Sequence, residues 1–427
     1  MRKLNVLMPT MEYDMIKVGG LSAALTSIAK GMKKYANPKI IAPKSGFEVP
    51  WKKVDEIEYR NVTMEIYEHM GVNVSLLSNE VLNCPEIYPE PMDIKTPEKI
   101  DEFGKAITEV IDDIDFDLVH MHDLFGYKAM PKFKEMNKPI LLTIHRLHRE
   151  FPNWFKRELF AIDNADFITV VGKSYYKEDE GELFSRYAGK VTHVYNGIDT
   201  EFWSEKNCRY SNLSRAERRK RILEENGLED GVFFLYVGRF DPAQKGVDIM
   251  LSAGQEFLKE KDARMIIVGF GDKKLEKLSK KFEAKYPSKV KVINSLLPEA
   301  EARELYCAAD FAVVPSLFEP FGLVQLEAMA CGCVPIGSKT GGIKDTVVPY
   351  PRDGATGFLF EKGKVEALNE TMKKAFEIYC KNINLIEQMR RNGRKRCEGV
   401  FQWDSSCKKY FKIYTKLLAS KSVGVRM

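Results

Sequence analysis

Residues 311–330 read FAVVPSLFEPFGLVQLEAMA. The run Phe311–Pro315 is apolar without alternation, as expected of a strand covered on both faces by helices. A loop carrying Glu319 follows, and Gly322–Met329 then spaces its apolar residues for a helix. Strand, loop and helix in this order make the repeating step of a parallel α/β sheet.

The step recurs in both directions. Strand-like runs at Val232–Val237, Arg264–Val268 and Val290–Ile293 precede it, and Val334–Ile336 and Gly357–Phe360 follow. Helical stretches intervene at Val247–Lys259, Lys273–Tyr286, Glu299–Ala308 and Lys364–Tyr379. The pattern stops between about Asn196 and Gly231, where the charged segment SRAERRKRILEENGLEDG lies. Before that break it reads as strands Leu4–Pro9, Lys39–Ala42, Val72–Leu77, Asp117–Met121, Pro139–Ile144 and Phe167–Val171, with helices Leu21–Lys34, Ile100–Ile114 and Trp154–Ile162. Two α/β halves follow, 1–205 and 206–403, hinged near residue 205. At about 150 residues per domain, a chain of 427 residues has room for both. Ligands of open α/β sheets sit beyond the carboxyl ends of the strands, so two facing sheets predict one cleft between them.

Composition narrows the class. With 44% hydrophobic and 30% charged residues, the chain is neither disordered nor fibrous. The 66 Lys+Arg against 61 Asp+Glu leave a net charge of only +5. The basic run Arg390–Arg396 (RRNGRKR) therefore reads as a solvated helix end rather than a nucleic-acid arm. Eight cysteines are too sparse for a disulfide scaffold, and only Cys331 and Cys333 are close in sequence. No run reaches the ~20 apolar residues of a membrane span, and a reduced, cytoplasmic protein is expected. The one hint of a membrane-facing surface is Trp51-Lys52-Lys53.

Chemistry-bearing residues gather at predicted strand ends. Lys17-Val18-Gly19-Gly20-Leu21 would let backbone N–H groups and a cation approach an anion, or would be a plain strand–helix turn. Arg239 and Lys245 flank the Asp241-Pro242 turn and suit a diphosphate, unless both are merely solvated loop charges. Glu319 and Glu327 lie among apolar residues, where a carboxylate needs a partner; together they favour a polyol such as ribose or a hexose. Thr340-Gly341-Gly342 is a second candidate phosphate cradle. Four of the six histidines fall in His120-Met121-His122-Asp123 and His145-Arg146-Leu147-His148. The His120/His122 spacing is read as one ring in and one out, with no metal site. His120 and His148 are expected to be packed, while His145 and Asp123 are better placed for a ligand. The D-x-D at Asp115–Asp117 precedes its strand and is discounted.

Seven segments in order resemble the glycogen/starch synthase family of retaining glycosyltransferases, in a compact form similar to the archaeal members. They are KVGGL (17–21), HMHD (120–123), TIH (143–145), YNGID (195–199), GRFDPAQKG (238–246), PSLFEPFGL (315–323) and TGG (340–342). The resemblance implies a GT-B fold, with two facing Rossmann-like domains and a final helix, 404–427, crossing back to the first. It implies transfer of glucose from ADP- or UDP-glucose to an α-1,4-glucan without a metal, and an oligomer is compatible with it. By the same resemblance Arg239 and Lys245 would hold the diphosphate, with Lys17, Gly19, Gly20, Gly341 and Gly342 adding donors. His145, Asp123, Asn196 and Glu319 would surround the glucose, and Glu327 would bind ribose. Thr340, Phe321, Gly322 and Leu323 would complete the donor site. Ser22-Ala23-Ala24 departs from the family's usual Ala-Asp-Val. A relative with another acceptor, an epimerase, a phosphorylase and a non-catalytic sensor are the competing expectations.

Overall fold

The computed structural model describes residues 2–16 and 20–423. Among these, two units are distinct: residues 1–171, 180–195 and 403–427 form unit 1, and residues 172–179 and 196–402 form unit 2.

Unit 1 is built on strands β1 (Asn5–Pro9), β2 (Asn37–Pro43), β3 (Lys52–Glu58), β4 (Thr63–His69), β5 (Val72–Ser78), β6 (Leu118–His122), β7 (Ile140–Ile144), β8 (Phe167–Val170) and β9 (Val191–His193). Their order in the sheet is β3-β4-β5-β2-β1-β6-β7-β8-β9. All neighbours run parallel except β3, β4 and β5, which form an antiparallel edge. That edge contains two strands the sequence pattern did not yield. In β3 (KKVDEIE) nearly every residue is exposed, so neither face carries an apolar signal. Trp51, just before it, is buried and stacks on His69 at 4.7 Å. This corrects the membrane hint: the indole is core, not surface.

Unit 2 holds β10 (Val232–Val237), β11 (Ala263–Val268), β12 (Val290–Ile293), β13 (Phe311–Val314), β14 (Val334–Ser338) and β15 (Phe358–Phe360), all parallel. The order β12-β11-β10-β13-β14-β15 is the 3-2-1-4-5-6 winding of a doubly wound nucleotide fold. Its core packs Phe234 of β10 on Phe311 of β13 and on Phe257 of the helix Val247–Glu260, with the helix Val365–Lys381 alongside. In such a sheet the crevice opens where the winding reverses, here between β10 and β13. In unit 1 the equivalent reversal lies between β1 and β6.

The helix Trp403–Val423 belongs to unit 1 and buries Cys407, Tyr410 and Tyr414. The helix Ile383–Val400 contains the basic run, and here the sequence reading is corrected. Arg390 is buried and donates to Asp310 Oδ1 at 2.6 Å. Arg394 donates to the carbonyls of Trp203, Ala330 and Thr200, and Arg396 to those of Thr346 and Asp345. Arg390, Arg394 and Arg396 are therefore structural, while Arg391 and Lys395 stay exposed as the sequence reading expects. The fold also joins thiols far apart in sequence, since Cys307 contacts both Cys208 and Cys331.

Asp310 is fully buried and accepts from Arg390, from Arg219 Nη1 at 3.3 Å and from Phe233 N at 3.0 Å. Asp310→Ala would strand buried guanidinium charge, so a loss of about 3–5 kcal/mol is expected. Urea unfolding followed by circular dichroism measures it; an unchanged midpoint would contradict this account.

Candidate functional site

In unit 2, the ends of β10 and β13 form a small pocket, lined by Tyr236, Gly238, Lys245, Ser316 and Glu319 among others. The loop after β10 is shaped by Asp241, whose carboxylate accepts from Ala243 N and Gln244 N at 3.0 and 3.1 Å. Gly246 then turns back with φ +59°, and a Cβ there would lie 2.2 Å from Pro315 O. Only glycine lets the two strand-end loops approach so closely. That approach brings Lys245 Nζ to Glu319 Oε2 at 2.8 Å, with Ser316 Oγ donating to the same oxygen at 3.3 Å. Arg239 stays nearly half exposed, 3.3 Å from Gln244 Oε1 and 4.0 Å from Asp241. The two predicted cations therefore share one loop, but Lys245 is already paired with the predicted sugar-binding glutamate.

The remaining residues predicted for this half divide. Glu327 sits in the helix Val324–Ala330, pushed up to about 8 by burial and by the charge of Glu299. Phe321 is core and packs on Phe401. Gly322 adopts φ +81° and Leu323 caps the helix. Thr340 is buried and donates to Leu317 O at 3.4 Å. Gly341 and Gly342 pack so tightly that added Cβ atoms would lie 2.0 Å from Glu319 O and 2.3 Å from Phe321 Cα. The Gly342 N–H already donates to Glu319 O at 2.9 Å, which corrects its expected role as a spare donor. Asn196 is buried, and its Oδ1 has no partner.

In unit 1, Asp123 follows β6 in the left-handed region, φ +53°, unusual for a residue with a side chain. Its Oδ1 accepts from His145 N at 2.7 Å and Arg146 N at 3.4 Å, while Asp123 N donates to Thr143 O. The carboxyl thus fixes the turn after β7 from within. Asp123 also lines a small cavity with Ile144, Arg146 and Glu158. Burial holds Asp123 up near 8, helped by the charge of Glu158. Glu158 itself accepts from His148 N and pairs with His148 Nδ1 at 2.8 Å, and burial raises it too. His145 is half-buried and lowered to about 4 by desolvation, so its ring is neutral.

His120 and His122 are both fully buried on one face of β6, with ring centroids 4.3 Å apart. The one-in, one-out reading is overturned, because residues two apart on a strand share a face. Asp115 and Asp117 pair with Arg2 and Asn5. Gly20 starts the helix Gly20–Met32, and Lys17 and Gly19 lie outside the described residues. Sequence reasoning missed Ser316, Gln244, Glu158 and His122. The hydroxyl and the amide are too common in loops to stand out, and Glu158 is hidden by helical spacing.

Residues 218–396 match the family model for glycosyl transferases group 1, and residues 5–194 the model for the starch synthase catalytic domain. The glycogen synthase of Thermodesulfovibrio yellowstonii is 30% identical, covering 75% of this chain and 73% of its own. That of Finegoldia magna is 26% identical, with 97% and 100% covered. Among solved structures, the catalytic domain of starch synthase IV from Arabidopsis thaliana, bound to ADP and acarbose, superposes with a TM-score of 0.82 at 20% identity, covering 98% of this chain and all of that one. Sucrose-phosphate synthase from Thermosynechococcus elongatus gives 0.73 at 20% identity over the same shares. These likenesses establish the GT-B fold. Among the described residues no helix is long and apolar enough to cross a membrane.

The raised Asp123 carboxyl has a thermodynamic consequence. An unfolded aspartate titrates near 3.9, so between about pH 4 and 8 the native state holds a proton that the unfolded chain has lost. Stability from this group therefore falls as pH rises through that window. Asp123→Asn keeps the accepting oxygen but cannot ionise. It should shrink the drop in melting temperature between pH 5 and 8, and an identical drop in both proteins would refute the assignment.

Proposed function

Because the chain belongs to the glycogen/starch synthase family of GT-B glycosyltransferases, we propose that it transfers glucose from ADP- or UDP-glucose to the non-reducing end of an α-1,4-glucan, with retention of configuration. The observation that carries this reading is the pocket between β10 and β13, where Lys245 meets Glu319 at the reversal of the sheet, with Arg239 on the same loop as Lys245. The remote relatives support the donor class, since solved GT-B structures were obtained with ADP and with UDP-glucose.

Cleaving the glycosidic bond leaves extra charge on the β-phosphate. Preorganised cations stabilise such charge best in a site that excludes water. Arg239 forks onto phosphate oxygens, and Lys245 leaves Glu319 for the diphosphate, so no metal ion is needed for charge balance. Glu319, released, accepts from the sugar's hydroxyls, and Glu327 from the ribose. The acceptor hydroxyl attacks from the face the phosphate leaves, and a phosphate oxygen takes its proton. His145 and Asn196 contact the glucose; Asp123 acts by holding His145. Lys17, Gly19 and Gly20 add contacts to the donor. In this reading unit 1, with its last helix, serves the acceptor and unit 2, whose main segment begins at residue 196 rather than 206, holds the nucleotide sugar. Eight free thiols support a reduced, cytoplasmic setting. Ala23, where the family usually has an acid, favours testing other sugar acceptors beside glycogen.

Labelled ADP- and UDP-glucose with glycogen test the reaction directly. Arg239→Ala and Lys245→Ala should each lower kcat at least ~10²-fold, the scale of one charge-stabilising donor; near-normal rates in both would sink the assignment. Glu319→Gln separates binding from chemistry. It frees Lys245, so calorimetry should show ADP bound severalfold more tightly while transfer is largely lost. Weaker ADP binding would contradict the proposed exchange.

A further inference from the structure

Unit 1 carries a row of three imidazoles, His120, His122 and His145, along the ends of β6 and β7. His120 is fully engaged: Nδ1 meets Tyr414 OH and Nε2 meets Thr143 Oγ1, both at 2.7 Å. His122 is not. Its Nδ1 lies 3.0 Å from His145 Nε2, but its own Nε2 is buried without a partner. Burial keeps both rings of this pair neutral, so one proton sits between them and each ring carries one proton in all.

Two arrangements satisfy the 3.0 Å contact. In the first, His145 donates from Nε2, and His122 must then carry its proton on the orphaned Nε2. That buries an N–H with no acceptor. In the second, His122 donates from Nδ1, and the orphaned atom is only an unused lone pair. Buried N–H groups without partners are rarer in folded proteins than under-used acceptors, and the second arrangement is favoured on that ground. With Nε2 accepting, the His145 proton must lie on Nδ1.

We propose that His122 is a positioning residue which locks His145 as its Nδ1–H tautomer, so that the one ring nitrogen His145 has left for a ligand is a hydrogen-bond donor. Such a donor suits a hydroxyl or phosphate oxygen and does not titrate near neutrality. The Asp123 carboxyl fixes the His145 backbone and His122 fixes its ring. The nature of the ligand rests on the proposed transferase reading; the tautomer does not.

Nitrogen-15 histidine labelling tests the tautomer on the intact chain. There are only six rings, and the His145 signals are assigned by their loss in His145→Asn. Long-range proton–nitrogen correlation should give His145 a protonated-type shift on Nδ1 and an unprotonated-type shift on Nε2. The reverse pattern overturns the proposal, whatever the enzyme's activity. In His122→Leu the His145 pattern should become a mixture of tautomers and kcat/KM for glucosyl transfer should fall about tenfold, the scale of one neutral hydrogen bond. His122→Asn, whose amide N–H can stand in for Nδ1–H, should restore the single tautomer and most of the rate. An unaltered tautomer in His122→Leu overturns the role of His122. If His122→Leu does not fold, the wild-type spectrum and His122→Asn still decide. A correct tautomer in a protein that transfers no glucose would leave this inference standing and remove the transferase reading instead.

Discussion

A parallel sheet covered on both faces by helices has no polar surface except at the ends of its strands, and this constraint organises both units. Strand interiors such as β11 and β13 are wholly buried, so any group that must meet water or a charged ligand is pushed to the carboxyl edge. The chemistry-bearing candidates lie in the loops that follow strands. Asp123 follows β6, His145 follows β7, Arg239 and Lys245 follow β10, and Glu319 follows β13. The reversal of winding then selects, among several such edges, the one where two loops part and leave room.

Crowding charged groups into turns so short demands unusual backbone. Asp123 holds φ +53° with a side chain present, and Gly246 and Gly341 hold positive φ where a Cβ would meet a carbonyl oxygen at 2.2 and 2.0 Å. Such positions cost on the order of 1–3 kcal/mol when a side chain must adopt them, so they persist only where the surroundings dictate them. Here the surroundings do. Asp123 gives its N–H to Thr143 O and takes those of His145 and Arg146, which ties β6 to β7 at the edge of the sheet. In unit 2 the close approach at Gly246 is what lets Lys245 reach Glu319. The strained turns and the polar contacts are one device.

How much of this the sequence disclosed follows from range. Alternating strand and helix are written in local periodicity, and the loops with Arg239, Lys245 and Glu319 stood out because charge amid apolar residues is conspicuous. The edge strand β3 did not, since a strand exposed on both faces has no apolar period to find. The structural roles of Arg390, Arg394 and Arg396 are hidden for a different reason: their partners lie up to 194 residues away. Likewise, nothing near His120 in sequence indicates Tyr414, 294 residues further on. The pairing of Gly342 N–H with Glu319 O was equally hidden, because a glycine turn reads the same whether its donors face a ligand or a neighbouring loop.

The charge state of the two pockets is the last consequence. Lys245 and Glu319 neutralise one another, Asp123 and Glu327 are held near 8 and so carry little charge at neutral pH, and His120, His122 and His145 are uncharged. Burying isolated charges would have cost several kcal/mol each, and the fold avoids it by pairing or by keeping protons. The half-exposed guanidinium of Arg239 is held more loosely, 4.0 Å from Asp241 and bonded to the neutral Gln244 amide. In the proposed reading an incoming dianion would need only to win Lys245 from a single carboxylate. In the transferase reading proposed above, specificity for a diphosphate would rest on competition between two anions for one lysine, and the carboxylate that loses would be set free beside the sugar.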